Sequence, residues 1–129
     1  MIVTNFSVQH RVAVFVLILG IAYKKNVDDM RESPSLKLIE LLEARGARVD
    51  YHDPFIDVIP VTREHADMAG RRSVDLTPAV IRKYDAALIA TDHDKVDYSL
   101  LLDNSKILID TRNAVSRAGL DPSDKVVKA

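Results

Sequence analysis

Short continuous apolar runs alternate along this chain with amphipathic stretches, and each change of period predicts a change of element. From Arg11 to Ile21 ("RVAVFVLILGI") the apolar positions do not alternate with polar ones, the pattern of a strand covered on both faces inside a parallel sheet. After a charged loop the spacing becomes helical: Leu38, Leu41, Leu42 and Arg45 recur, Leu36 and Ile39 lie beside them, and Lys37, Glu40 and Glu43 face outward. Ser33 is placed to cap this helix, Pro34 occupies its first turn where no N–H is needed, and Gly46 ends it. "ARVDYHDP" reads as a second strand stopped by Asp53 and Pro54, completing a strand-helix-strand unit with a right-handed crossover.

The remainder repeats the alternation. Thr77 and Pro78 open a helix over "PAVIRKY", "DAALIATD" is a third strand, Asp97 caps "YSLLLDN", and "KILIDT" is the next strand. Residues 55–76 carry little period, with "SVDL" as the candidate strand among them. Residues 1–10 read as an unstructured lead-in and residues 116–129 as a C-terminal surface tail. The expected fold is therefore one α/β domain over residues 11–115, an open, mostly parallel Rossmann-like sheet with helices on both faces.

Composition narrows the function. A length of 129 residues with 47% hydrophobic content suits a single core. Lysine and arginine total 18 against 19 acids, a formal net charge of -1, so no global field favours nucleic acid or an anionic membrane. The absence of cysteine excludes disulfides, thiolate metal sites and a cysteine nucleophile within these residues. "RVAVFVLILGIA", with Gly20 and Ala22 spaced like a signal-peptidase site, invites comparison with an export signal. Its valine and isoleucine content and the strand-loop-helix order that follows favour a buried strand, and it is too short to span a bilayer. The expected compartment is the cytoplasm.

In an open parallel sheet, ligands bind beyond the carboxyl ends of the strands. Two cationic loops are expected there, "AYKKNVDDMRES" and "DTRN", so that Lys24, Lys25, Arg31 and Arg112 share one edge as an anion pocket. The bland reading is that Asp28, Asp29, Arg31 and Glu32 pin a long loop through ion pairs worth roughly 0–1 kcal/mol each. Acids repel phosphate, so their role is to hold the cations. Gly20 stands alone, without the G-x-G-x-x-G of a dinucleotide site. "YHDP" and "TDHD" put His52, Asp53, Asp92, His93 and Asp94 at strand ends, but without diagnostic metal-ligand spacing, and aspartate there is ordinary turn chemistry. His65 has still less support, and no metal site is expected.

The ordered set Gly20, Ala22, Tyr23, Lys24, Asp29, Arg31, Glu32, Ser33 and Pro34, followed by an amphipathic helix, a strand and Asp53–Pro54, resembles the C-terminal domain of the UDP-glucose/GDP-mannose dehydrogenase family. "YDAALIATDHDKVDY" and "ILIDTRNA" extend the likeness to residues 12–128, and the wording of "YHDP", "ATDHDKVDY" and "DTRNA" is most similar to the UDP-N-acetylglucosamine 6-dehydrogenase branch. The resemblance implies an enzyme that oxidises the C6 alcohol of a nucleotide sugar to a carboxylate in two NAD-dependent hydride transfers, through a thioester on a cysteine. It also implies an N-terminal NAD-binding domain, a central dimerising region, and a C-terminal domain closing over the UDP-sugar. By motif position, Tyr23, Lys24 and Arg112 would contact that sugar nucleotide and Arg31 would reach the NAD held by the other domain. No catalytic residue is implied in this chain, which on this view is inactive without a complementing NAD-binding domain or polypeptide. The alternative is a stand-alone α/β interaction module, a homo-oligomer among its options. A receiver-like or flavodoxin-like α/β domain is disfavoured, because the acids at strand ends lack a matching lysine pattern and no glycine- or hydroxyl-rich loop awaits a flavin phosphate.

Overall fold

The computed structural model describes residues 14–30 and 33–129. Five parallel strands, β1 (Phe15–Leu19), β2 (Arg48–His52), β3 (Ala86–Ile89), β4 (Leu108–Asp110) and β5 (Val126–Lys128), form one sheet in the order β2-β1-β3-β4-β5. Helices α1 (Pro34–Ala44), α2 (Pro78–Ile81), α3 (Tyr98–Asn104) and α4 (Ala114–Arg117) connect them.

The continuous apolar run of β1 explains the layers. Successive side chains of a strand point to opposite faces, so Val16 and Ile18 enter one core with Leu36 and Ile39 of α1. Leu17 and Leu19 enter a second with Ile81 of α2, Leu101 of α3 and Val115 of α4. One strand thus feeds two hydrophobic layers, and an alternating polar pattern there would have stripped one of them.

Capping follows the sequence closely. Ser33 accepts from the Ser35 N–H, Thr77 from Val80 and Asp97 from Leu100, each at the start of its helix. The stripe of α1 is shifted from expectation: Ser35, Leu36 and Ile39 are buried, whereas Leu41 is 51% exposed. Two positions beyond Ile39 is about 200° round the helix, so Leu41 cannot share its face.

"SVDL" forms no strand. Residues 55–72 instead fold back over the α1 face, joined by an isolated antiparallel bridge between Val58 and Arg72 and burying Ile56, Ile59 and Met68. The Tyr51 hydroxyl lies among the carbonyls of Ile56, Asp57 and Arg71 at 3.0, 3.1 and 3.2 Å. Burial first, then the Asp53 and Asp57 charges, push this phenol up to about 12. Arg71 clasps Glu43 of α1 through two bonds of 2.8 and 2.9 Å. The stretch expected as a tail is corrected too, because residues 126–128 return to pair with β4. Only two apolar residues mark that edge strand, and Val127 is 49% exposed, so hydrophobic patterning is faint. The lead-in over residues 1–10 lies outside the described residues.

Gly20 brings the strand ends together. It has φ +85°, donates to the His52 carbonyl at 2.8 Å, and a Cβ there would lie 2.3 Å from the Thr91 carbonyl oxygen. Gly70 has a similar φ of +91° but open space around it. Alanine at Gly70 is expected to cost about 1–2 kcal/mol from backbone strain alone, and alanine at Gly20 about 2–4 kcal/mol because overpacking is added. Urea unfolding of both variants tests this; equal losses would show that the β1–β3 approach relaxes freely.

Candidate functional site

The chain leaves β1 to build β2 on one side, then crosses to build β3 on the other, so the crevice of this sheet opens between the carboxyl ends of β1 and β3. Three loops meet at this edge around one buried carboxylate. Asp53, at the end of β2, accepts through Oδ2 from the Ile21 and Ala22 N–H groups at 2.8 and 3.2 Å, and through Oδ1 from Phe55 N–H at 2.8 Å. His93, in the loop after β3, lies 2.9 Å from the same Oδ2 through Nε2. Both side chains are fully buried. The other ring nitrogen, Nδ1, accepts from the Asn26 N–H at 2.7 Å, so the imidazole hydrogen must sit on Nε2 and be donated to Asp53.

Further contacts knit the edge. The Asn26 amide exchanges two hydrogen bonds with Asp94, at 2.8 and 2.9 Å, and Lys25 pairs with Asp94 at 3.6 Å. Thr91 Oγ1 donates to the Ala22 carbonyl at 2.8 Å. After β4, buried Asp110 accepts from the N–H groups of Arg112, Ala114 and Val115, fixing the turn into α4. Arg117 joins Asp92 to the Arg112 carbonyl, and its guanidinium is raised above its ordinary value chiefly by the Asp92 hydrogen bond.

On this scaffold the expected ligand residues lie at the surface. Tyr23 is 52% exposed and donates its N–H to the Asp29 carbonyl, and Lys24 beside it is exposed. Arg112 is also exposed, with Nε held on the Ala90 carbonyl at 3.0 Å, so it reaches back over the end of β3 toward the loop of β1. Lys24 and Arg112 therefore belong to the same carboxyl edge. Lys25 is already engaged by Asp94, and Arg31 lies outside the described residues.

The strand-end histidines have structural partners. His52 Nδ1 lies 2.7 Å from the Val74 carbonyl and His93 is locked to Asp53. Among the described residues no group of three or more metal-capable side chains converges. Among its described residues the β1–α1 turn forms no dinucleotide cradle: Thr91 fills the space over Gly20, and the Ser33 and Ser35 hydroxyls donate to the Ile21 and Gly20 carbonyls. A groove of about 1290 Å³ runs from the far end of this loop, at Asp28, Asp29 and Met30, between the start of α1 and residues 55–65. No helix among the described residues is long and apolar enough to cross a membrane.

The sequence pattern had presented the Asp53 and His93 motifs as separate clusters. Their pairing spans 40 residues and depends on the strand order, although a buried-strand end followed by Asp-Pro was a usable signal for an anchoring carboxylate.

The profile of the UDP-glucose/GDP-mannose dehydrogenase family, UDP binding domain, matches residues 17–117. The chain is 31% identical over 105 residues to the UDP-N-acetyl-D-mannosamine dehydrogenase of Pyrococcus horikoshii, covering 78% of this chain and 22% of that protein. It is 32% identical over 113 residues to a UDP-glucose 6-dehydrogenase of Pseudomonas aeruginosa, covering 80% of this chain and 24% of that protein. The solved UDP-D-ManNAc dehydrogenase structure from Pyrococcus horikoshii superposes with a TM-score of 0.63 at 28% identity, over 90% of this chain and 25% of that one. The chain thus spans about a quarter of the length of these relatives.

Burial raises the Asp53 carboxyl, but the His93 hydrogen bond and the Ile21 and Phe55 N–H groups outweigh it and hold the group below its ordinary 3.8. A lowered folded value means that the stabilisation is complete above the ordinary carboxylate range and is lost as pH falls through the folded value. Asp53→Asn, which must turn an NH₂ toward other donors, is expected to cost about 3 kcal/mol at neutral pH and to flatten the acid limb of the stability profile. Denaturant midpoints measured from neutral pH down to about pH 2 check both effects.

Proposed function

Because the chain belongs to the UDP-glucose/GDP-mannose dehydrogenase family, matching its UDP binding domain, we propose that it is the nucleotide-sugar-binding part of an NAD-dependent UDP-sugar 6-dehydrogenase. The observation that carries this reading is the exposure of Tyr23 and Lys24 from one strand end and Arg112 from another, along a crevice edge where Asp53, His93 and Asp110 are buried and Lys25 and Arg117 are paired. Two cations set on separate loops suit a diphosphate, whose charge is spread over several oxygens. Tyr23 adds an aromatic face for the sugar nucleotide. Lys25, held by Asp94, supports the loop instead of the ligand.

NAD supplies the hydride acceptor in such an enzyme. These residues do not fit its pyrophosphate at the β1–α1 turn, so its binding falls to another domain, with Arg31 as the contact from this chain. Cysteine chemistry also needs another domain, since none occurs here. The proposed activity, C6 alcohol to carboxylate, thus requires a partner that carries the NAD site and the cysteine, and the compartment proposed for it is the cytoplasm. Among sugars, the "TDHDKVDY" and "DTRNA" wording favours UDP-N-acetylglucosamine.

Calorimetric titration with UDP-N-acetylglucosamine tests the assignment. Lys24→Ala and Arg112→Ala are each expected to weaken binding about tenfold or more, and Lys25→Ala less than about threefold. Weak binding unchanged in both of the first two variants would overturn their roles.

A further inference from the structure

The segment carrying Tyr23, Lys24 and Lys25 is tethered at both ends, and both tethers lead to one buried pair. At its start the Ile21 and Ala22 N–H groups end on Asp53 Oδ2. At its finish the Asn26 N–H ends on His93 Nδ1 at 2.7 Å. Asp53 and His93 are themselves joined at 2.9 Å. Asn26 has φ +63°, a left-handed conformation that turns the chain back and that asparagine tolerates better than other non-glycine residues. It is fixed there, since its side chain is clamped to Asp94 by two bonds while its N–H is clamped to the imidazole.

We propose that His93 is a positioning residue for the ligand loop: by donating Nε2–H to Asp53 it keeps Nδ1 free to hold the Asn26 N–H, and so sets where Tyr23 and Lys24 meet a nucleoside diphosphate. The ring is fully buried and touches no ligand itself. Its action is through the backbone of a neighbouring loop. Phe55 packs against the ring with centroids 4.8 Å apart, and Tyr98 donates its hydroxyl to the His93 carbonyl at 2.7 Å, so the imidazole has little freedom to swing away. The consequence for ligand affinity rests on the reading of Tyr23 and Lys24 given above, whereas the consequence for loop geometry does not.

Two substitutions separate the two bonds. Glutamine places an NH₂ near the imidazole Nε2 position and can still donate to Asp53, but it offers Asn26 nothing. Asparagine places its carbonyl near Nδ1, keeping the acceptor for Asn26 and losing the donor to Asp53. Nitrogen-15 NMR of the full chain reads the tautomer and the exchange protection of amides 24–26, and UDP-N-acetylglucosamine titration reads affinity. The wild type is expected to show protonated Nε2, bare Nδ1 and a protected Asn26 amide. His93→Gln is expected to lose that protection and about tenfold in affinity, and His93→Asn to recover most of both.

If His93→Gln loses Asn26 protection but binds as tightly as wild type while Lys24→Ala does not, the positioning role is overturned and the ligand assignment stands. If the wild type binds no nucleotide sugar, the ligand assignment falls; loss of protection across residues 24–26 in His93→Gln then upholds the positioning of the loop, and retained protection overturns it. Should His93→Gln fail to fold, His93→Asn decides alone: a protected Asn26 with affinity kept supports the proposal, and a protected Asn26 with affinity lost defeats it.

Discussion

One buried pair, His93 and Asp53 joined at 2.9 Å, gathers the loops at the carboxyl edge of this domain through the N–H groups that both side chains accept. Strands of a parallel sheet are fixed along their length by ladder bonds, but where they end their loops depart separately and nothing in the ladder relates one to the next. Here the carboxylate at the end of β2 collects N–H donors from the loop after β1, from its own turn and from the imidazole after β3. A buried carboxylate costs several kcal/mol unless its lone pairs are met. Meeting them is what forces three loops into register, because removing any one donor leaves charge uncompensated in the interior.

The same logic recurs next door with different chemistry. Asp110 at the end of β4 collects three backbone N–H groups, all from its own turn, and fixes the turn from which Arg112 projects. Arg117 then crosses from α4 to Asp92 and to the Arg112 carbonyl, joining this turn to the loop after β3. Buried acids thus order the loops, and the bases stay at the surface. Charge in the interior is spent on geometry, while Tyr23, Lys24 and Arg112 remain at the surface.

The fold was legible because its signals are local. The unbroken apolar run of β1 announced a doubly covered strand, and Ser33, Thr77 and Asp97 announced their helices through capping chemistry that acts within one turn. Three features were not legible in this way. β5 needs β4 beside it before its two valines mean anything, the fold-back of residues 55–72 is built on side-chain anchors such as Tyr51 and Arg71, and the exposure of Leu41 depends on which side of α1 meets the sheet. Within the candidate site, the order of the motif pointed to Tyr23, Lys24 and Arg112, which the fold leaves exposed. The Asp53–His93 pair could not be found so, since each motif alone resembles turn chemistry and only the order β2-β1-β3 brings them within reach.

Placement of the two cations also bears on what this domain contributes by itself. Lys24 and Arg112 are exposed; the larger groove, lined by residues 28–30, the start of α1 and residues 55–65, includes neither, and the hollow of about 620 Å³ beside Arg112 is an open one that Lys24 does not line. A nucleotide sugar meeting this edge alone would therefore gain attraction from charge but little from burial, and concave sites draw most of their grip from enclosing the ligand. What the scaffold does supply is preorganisation: the loop of Lys24 is tethered at both ends and Arg112 is held through Nε, so less ordering remains to be done when a ligand arrives. On the proposed function, a guest whose other side is enclosed by another domain would feel these prearranged cations most strongly once water is excluded.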